Sequence, residues 1–204
     1  MSIVLPLAHN VQGYLRRYGQ VGPDLPLLCV HCDAQSLHRH GRYWRVVVCR
    51  WRLVRIPVYR WKCPECGRKV SVLPDFLKPY ARFVSLLREK AIWRRLDGWT
   101  WERIAMAVSS PAVSVVSVRT LLRWFKRAVS WAAGRGAEPV GWIAQAAPAL
   151  DIAGLKPADV TAVDLLTFLR QTGHLLQHQV GRLDRSHPGL YAFLNSLFGG
   201  PPYL

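Results

Sequence analysis

The chain has 204 residues, half of them hydrophobic, so it can bury a real core as one ordinary domain or two small ones, and a disordered protein is excluded. Its apolar runs are too short for the ~18–20 residues of a membrane span, and its first residues do not form an export signal, so we expect a cytoplasmic protein. The net charge of +16 is concentrated in residues 29–135, which carry 22 Lys and Arg against 6 Asp and Glu. Charge of one sign gathered in one segment is typical of a module that binds a polyanion.

Residues 1–28 are apolar but interrupted by Pro and Gly, which are turn-forming residues. They predict an N-terminal arm with at most a short helix near residues 11–18.

Two Cys-x-x-Cys pairs lie within residues 29–78: Cys29 with Cys32, and Cys63 with Cys66. Each pair forms a tight knuckle whose sulfurs converge, so four thiolates in this arrangement can surround one zinc ion tetrahedrally. A redox-active dithiol and two disulfides are the alternatives, and neither suits two such pairs in a chain expected to stay in a reducing compartment. The spacing therefore predicts one structural zinc ion per chain.

The two knuckles differ just after their last ligand. Gly67 supplies a permissive backbone in the second knuckle, whereas Asp33 holds the equivalent position in the first, so we expect that turn to adopt another geometry. Cys49 lies between the knuckles and is predicted to be a small buried apolar residue.

Residues 38–48 and 53–62 are rich in β-branched and aromatic side chains and predict a hairpin that turns near residues 49–52. Pro57 cannot donate a ladder hydrogen bond, so we expect an edge or a bulge there. A third strand at residues 69–73 completes a three-stranded antiparallel sheet, a zinc ribbon. Its tryptophans, Trp44, Trp51 and Trp61, are expected to fill the small core. Its candidate contacts to nucleic-acid phosphates are Arg42, Arg45, Arg52, Arg55 and Arg60.

Residues 79–133 change to helical periodicity. A first helix ends at Asp97 and Gly98, Thr100 can cap a second helix, and a third begins after Ser114 or Ser117. Three consecutive helices predict a helical module that follows the ribbon.

The third predicted helix is amphipathic. Its apolar stripe consists of Val118, Leu121, Leu122, Phe125 and Val129. Its polar face, the candidate nucleic-acid surface, consists of Ser117, Arg119, Thr120, Arg123, Lys126 and Arg127. A short helix, a turn and a basic helix form the order of a helix-turn-helix, whose last helix enters the major groove of DNA. An ordinary three-helix unit with a solvated basic face is the alternative, and the connection at 109–116 is long for the motif.

Residues 134–156 contain Gly and Pro and predict a linker, and residues 157–204 predict a C-terminal helical tail with a long helix and a short one at 190–198. The tail is nearly neutral and suits a protein partner or a homodimer better than nucleic acid. The whole pattern predicts an α+β fold: a zinc ribbon, a helix-turn-helix-like module and a helical tail.

Three motifs follow one another in a familiar order: WKCPECGR at 61–68, SVLP at 71–74 and GWTWERIA at 98–105. Together with the knuckles and the basic helix, this order resembles the zinc-ribbon and helix-turn-helix region at the N-terminus of some bacterial insertion-sequence transposases, and stand-alone bacterial proteins that carry that region alone. The resemblance covers about residues 29–131 and implies DNA binding at element ends or at a related regulatory site. We expect no counterpart of the RNase H-like domain of those transposases, since only 69 residues with five acids follow Arg135.

No constellation of catalytic residues is evident, so we predict a non-catalytic protein. The leading hypothesis is a zinc-stabilised, sequence-specific protein that binds double-stranded DNA, is regulatory or associated with a mobile element, and has no membrane or small-molecule partner. An RNA-binding zinc ribbon and a zinc-stapled protein-interaction adaptor are the alternatives.

Overall fold

The fold is α+β, as predicted, with a four-stranded sheet and six helices in the described residues. The computed structural model describes residues 2–8, 10–24, 28–35, 37–49, 52–109, 116–150 and 160–179. The elements in chain order are β1 (Ser2–Leu5), α1 (Val11–Tyr18), β2 (His38–Cys49), β3 (Arg52–Lys62), β4 (Lys69–Pro74), α2 (Ser85–Leu96), α3 (Trp101–Val108), α4 (Val118–Arg135), α5 (Ala137–Ala146) and α6 (Ala162–Gln179).

The sheet has the strand order β1-β4-β3-β2. The predicted hairpin is present, because β2 and β3 pair antiparallel from His38 opposite Lys62 to Cys49 opposite Arg52. Strand β4 pairs antiparallel with β3, also as predicted. The count of three strands is wrong, however, since β1 adds to β4 in parallel. A run of four residues is too short to predict as a strand by itself, and only pairing with a distant strand makes it one.

Pro57 lies in β3 opposite Trp44, beyond the part of β3 that pairs with β4. Its carbonyl accepts a hydrogen bond of 2.8 Å from the Tyr14 hydroxyl. The nitrogen and carbonyl of a strand residue point to the same edge, so the missing N–H falls where β4 does not reach. The predicted edge strand is wrong, since β3 lies between β4 and β2 in the sheet.

Helix α1 has the bounds that were predicted for a short N-terminal helix, and it is part of the core. Tyr14 is fully buried and packs edge-on against Phe76. The Tyr59 hydroxyl donates to the Tyr18 carbonyl over 2.7 Å. The N-terminal segment therefore packs on the sheet through both α1 and β1.

The three helices after the sheet occur where their signals predicted. Thr100 accepts a hydrogen bond from the Arg103 N–H and caps α3, and Ser117 accepts one from the Thr120 N–H and caps α4. These caps satisfy backbone donors that have no partner inside the helix.

The apolar stripe predicted for α4 is rotated in the structure. The buried side chains of α4 are Leu121, Trp124, Ala128, Trp131 and Ala132. Leu122 is 45% exposed, and Val118, Phe125 and Val129 are only half-buried. The two tryptophans carry the largest apolar areas on the helix, so the face that contains them turns inward.

The linker predicted at 134–156 is wrong for residues 137–146, which form α5. Gly136 caps both α4 and α5, and Pro139 lies in the first turn of α5, where a helix needs no N–H donor. Ile143 of α5 is buried, as are Leu166 and Leu169 of α6. Glycine and proline therefore mark a helix junction here. The short helix predicted at 190–198 lies outside the described residues, and the division into five domains stays a prediction.

The sheet is joined directly to the helices by the segment that precedes α2. The Val48 N–H donates to the Arg82 carbonyl, and the Val84 N–H donates to the Val48 carbonyl. Phe83, between them, packs edge-on against Trp124 with ring centroids 5.0 Å apart. One hydrophobic cluster thus runs from the N-terminal strand to α6. No helix in the described ranges is long and apolar enough to cross a membrane.

The Tyr14 hydroxyl offers a test of how α1 is held. We expect Tyr14→Phe to lower the free energy of unfolding by about 1–3 kcal/mol, because the buried Pro57 carbonyl loses its donor. Urea unfolding followed by circular dichroism measures the change. Tyr18→Phe is the matched control on the same helix, since the Tyr18 hydroxyl makes no hydrogen bond within the described residues. Equal losses in the two variants would contradict the assignment.

Candidate metal centre and nucleic-acid interface

The two knuckles have the same backbone geometry. In the first, the Cys29 N–H donates to the Ala34 carbonyl and the Asp33 N–H donates to the Cys29 carbonyl, over 2.9 and 2.8 Å. In the second, the corresponding bonds join Cys63 to Arg68 and Gly67 to Cys63, over 2.9 and 3.0 Å.

The expectation of a different turn at Asp33 is wrong. Asp33 has a φ of 55° and Gly67 a φ of 69°, so both residues are left-handed. Aspartate tolerates this conformation better than most residues with a side chain, because its short polar group can bond locally.

The four predicted ligands converge. Their sulfurs all lie within 4.8 Å of one another, with 3.6 Å between Cys29 and Cys66 and 3.6 Å between Cys32 and Cys63. Four sulfurs about 2.3 Å from a central zinc ion would lie roughly 3.8 Å apart in a tetrahedron. All four cysteines are free thiols. They therefore form a potential metal site.

The electrostatics of the cluster favour a bound cation. Burial raises the pKa of the Cys29 thiol, but hydrogen bonds from the backbone N–H groups of His31 and Cys32 outweigh it and lower that pKa to about 7. The Ala34 N–H favours the Cys32 thiolate, yet loss of hydration and the neighbouring sulfurs raise the pKa of Cys32 to about 12. Hydrogen bonds from the neighbouring thiols favour the Cys29 thiolate, whereas the neighbouring sulfurs disfavour a second thiolate at Cys32. A dication would remove this conflict.

His31 lies within the first knuckle, and Cys49 is the one cysteine that is not part of the cluster. The Nδ1 atom of His31 lies 2.9 Å from a guanidinium nitrogen of Arg68, so this contact links the two knuckles. Cys49 lies outside the cluster, is half-buried as part of the hairpin end, and has a thiol whose pKa is raised by burial.

The structure places the predicted nucleic-acid residues of α4 on its surface. Ser117, Arg119, Arg123, Lys126 and Arg127 are exposed, and Thr120 is half-buried. The Arg123 guanidinium donates to the Thr120 hydroxyl over 3.2 Å, which orients it along the first turns of the helix.

The five arginines proposed on the hairpin are not equivalent. Arg42, Arg52 and Arg55 are exposed. Arg45 is half-buried and donates to the Ala81 carbonyl, and burial lowers the pKa of its guanidinium. Arg60 is half-buried, and its guanidinium lies over the Tyr43 ring. The exposed three are therefore better placed to meet a polyanion.

Trp44 was expected in the core, but it is 46% exposed. The guanidinium groups of Arg42 and Arg55 lie 5.2 and 5.4 Å from its ring centroid, one from the same strand and one from β3. Val46 and Leu53 extend this exposed face toward the hairpin end. Alternation along β2 gives no clear signal, since Val47 and Val48 point to opposite faces and both are buried. Trp61 is buried as expected, and Trp51 lies outside the described residues.

Comparisons with known proteins match only part of the chain. Residues 29–124 match the model of a family described as a domain of unknown function (DUF6431). No match was found among curated proteins or among solved structures. The matched segment contains all four clustered cysteines, strands β2 to β4, helices α2 and α3, and the first turns of α4.

Proposed function

We propose that the protein is a zinc-stabilised, non-catalytic DNA-binding protein in which α4 enters the major groove of duplex DNA. The observation that carries the proposal is a basic stripe on α4, formed by Arg119, Arg123, Lys126 and Arg127. Within the described ranges none of these four side chains makes an ion pair. Their charge is therefore available to phosphates and base edges.

The dimensions and supports of α4 suit this role. Arg119 and Arg127 are eight residues apart, roughly 12 Å along the helix, which is about the width of the major groove. Trp101 of α3 packs edge-on against Phe125 with ring centroids 5.7 Å apart. The Val116 N–H donates to the Ser109 hydroxyl over 2.8 Å, so the ends of the long connection between α3 and α4 lie close together. This arrangement supports a helix-turn-helix-like pair.

Zinc is the metal that we propose for the cysteine cluster. Four thiolates in a tetrahedron form a soft, closed ligand set that suits zinc and leaves no position open for a substrate. The metal would hold the strands in place and would take no part in a reaction. Binding at the ends of a mobile element or at a regulatory site, and self-association through the C-terminal helices, remain part of the proposal.

Unpaired nucleic acid, above all RNA, is the second candidate ligand, and Trp44 is the observation that favours it. An exposed indole with two guanidinium groups near its ring can stack on an unstacked base if a guanidinium moves from the ring to the adjacent phosphate.

Metal binding can be tested with the fifth cysteine as control. We expect the purified protein to hold about one zinc ion per chain and Cys63→Ser to lose it, with partial unfolding of the sheet, because three thiolates no longer close the site. Cys49→Ser should keep the metal. Elemental analysis and far-ultraviolet circular dichroism give the two readouts. Full metal content in Cys63→Ser, or equal loss in both variants, would contradict the proposed ligand set.

If α4 contacts bases in the major groove, substitutions of arginines on α4 and on the hairpin should have different effects on DNA binding. We expect Arg123→Ala to cost about 1–3 kcal/mol on the preferred DNA sequence and little on others, since it removes a base contact. Arg52→Ala should weaken binding to all sequences and lower the salt slope by about 1, since it removes a phosphate contact. Sites selected from a random DNA pool, followed by titrations at several salt concentrations, measure both effects.

The matched control for these variants is Arg17→Ala, which removes one exposed charge from α1. Uniform losses on every sequence from Arg123→Ala and Arg52→Ala alike would contradict the assignment of base reading to α4.

The exposed Trp44 ring provides a test of binding to single-stranded RNA. If unpaired bases stack on this ring, Trp44→Ala should lose about 1–3 kcal/mol of affinity for single-stranded RNA. Leu53→Ala is the control, because Leu53 is equally exposed on the same face but has no ring. Competition between duplex DNA and single strands at fixed salt ranks the two candidates, and equal affinity of the two variants for RNA would argue against stacking.

A further inference from the structure

A cavity between α4 and the segment after β4 is surrounded by positive charge. Its volume is about 780 Å³, within the range of small-molecule sites. Lys78, Arg88, Arg127 and Arg135 line it, and the lining within the described residues includes no Asp or Glu. The cavity is separate from the cysteine cluster and lies beside the C-terminal half of α4.

Lys78 is the unusual residue of this cavity. It is only 5% exposed, and neither of the ion pairs found in the described part of the chain involves it. Burial, together with the charges of Arg88 and Arg127, lowers the pKa of Lys78 to about 6. An apolar side chain would fill the same space without this penalty, so the lysine needs a reason other than packing.

An anion would offset the positive charge of this lining. We propose that the cavity binds a small phosphate-bearing molecule, whose phosphate lies between the Lys78 ammonium and the Arg127 guanidinium. Guanidinium groups pair with phosphate oxygens in a bidentate manner, and a phosphate would supply the counter-charge that Lys78 lacks. This inference goes beyond DNA binding and does not depend on it.

The burial of Lys78 favours a small phosphate-bearing molecule over the phosphate backbone of a nucleic acid. A duplex backbone at the protein surface can reach the exposed Arg127, whereas Lys78 is only 5% exposed and lines the cavity. A small molecule of the size of pyrophosphate or a nucleotide can enter. Its negative charge would favour the protonated lysine, so binding near neutral pH should take up a proton at Lys78.

Substituting Lys78 also has an expected effect on stability. In the folded protein Lys78 is neutral above about pH 6, whereas in the unfolded chain it keeps its proton up to its ordinary pKa of 10.5. The unfolded state therefore binds more protons at neutral pH, which lowers the stability of the folded state there. Lys78→Met should remove this penalty and raise the Tm, while it abolishes anion binding.

The experiment is calorimetric titration of the metal-loaded, nucleic-acid-free protein with pyrophosphate and with ATP, in two buffers of different ionisation enthalpy. We expect one molecule of either probe to bind per chain with proton uptake. We expect affinity to fall at least tenfold in Lys78→Met, whose Tm is unchanged or raised, and in Arg127→Gln. Arg17→Gln, which removes an exposed charge from α1, should bind like the wild type.

Four results of the probe titrations and stability measurements would overturn the proposal. The first two are that neither probe binds to the wild type, and that Lys78→Met or Arg127→Gln binds the probes as tightly as the wild type. The third is an equal loss of affinity in Arg17→Gln. The fourth is unfolding of Lys78→Met, which would give the ammonium a structural role. Weaker DNA binding in Lys78→Met without any probe binding would assign the lysine to the DNA surface and also overturn the proposal. Since the probes are titrated without nucleic acid, failure here leaves the proposal of DNA binding intact.

Discussion

The convergence of four sulfurs is the constraint on which the sheet depends. Cys63 follows β3 directly and Cys66 precedes β4, whereas Cys29 and Cys32 come from the segment before the hairpin. Bringing these distant segments together costs chain entropy, which a metal ion bound by both knuckles would offset. With that end of the sheet held, β4 is in place to accept β1 as a parallel neighbour, and β3 to accept α1 through Tyr14 and Tyr59.

Strand β2, at the edge of the sheet opposite β1, contacts the segment that leads into the helices. Val48 of β2 exchanges two backbone hydrogen bonds with the segment that precedes α2, and Phe83 in that segment packs on Trp124 of α4. The position of α4 is therefore set by the hairpin through rigid, buried contacts rather than by a flexible linker. A ligand that met both the hairpin and α4 would find their charges in a fixed relation.

The large positive charge of the chain serves two physical roles. Some arginines pack on the protein: Arg45 donates to the Ala81 carbonyl, Arg88 lies over Trp124, and the guanidinium groups of Arg94 and Arg103 lie 5.1 and 3.8 Å from the Trp99 ring centroid. Others, such as Arg119 and Arg127, face solvent without an acidic partner in the described ranges. Net charge therefore overstates the number of basic side chains that are free to meet a ligand, and only burial and contacts separate the two groups.

Sequence alone determined the features that depend on local chemistry: the Cys-x-x-Cys pairs, the hairpin, the cap Thr100 and the short helix α1. Each of these features depends on residues that lie close together in the chain. Only the tertiary structure decided that β1 joins the sheet, that α4 turns its tryptophans inward, and that Gly136 joins two helices. It also decided that Lys78 is buried among arginines while Trp44 is exposed, because burial depends on which distant segments meet, and periodicity does not encode that.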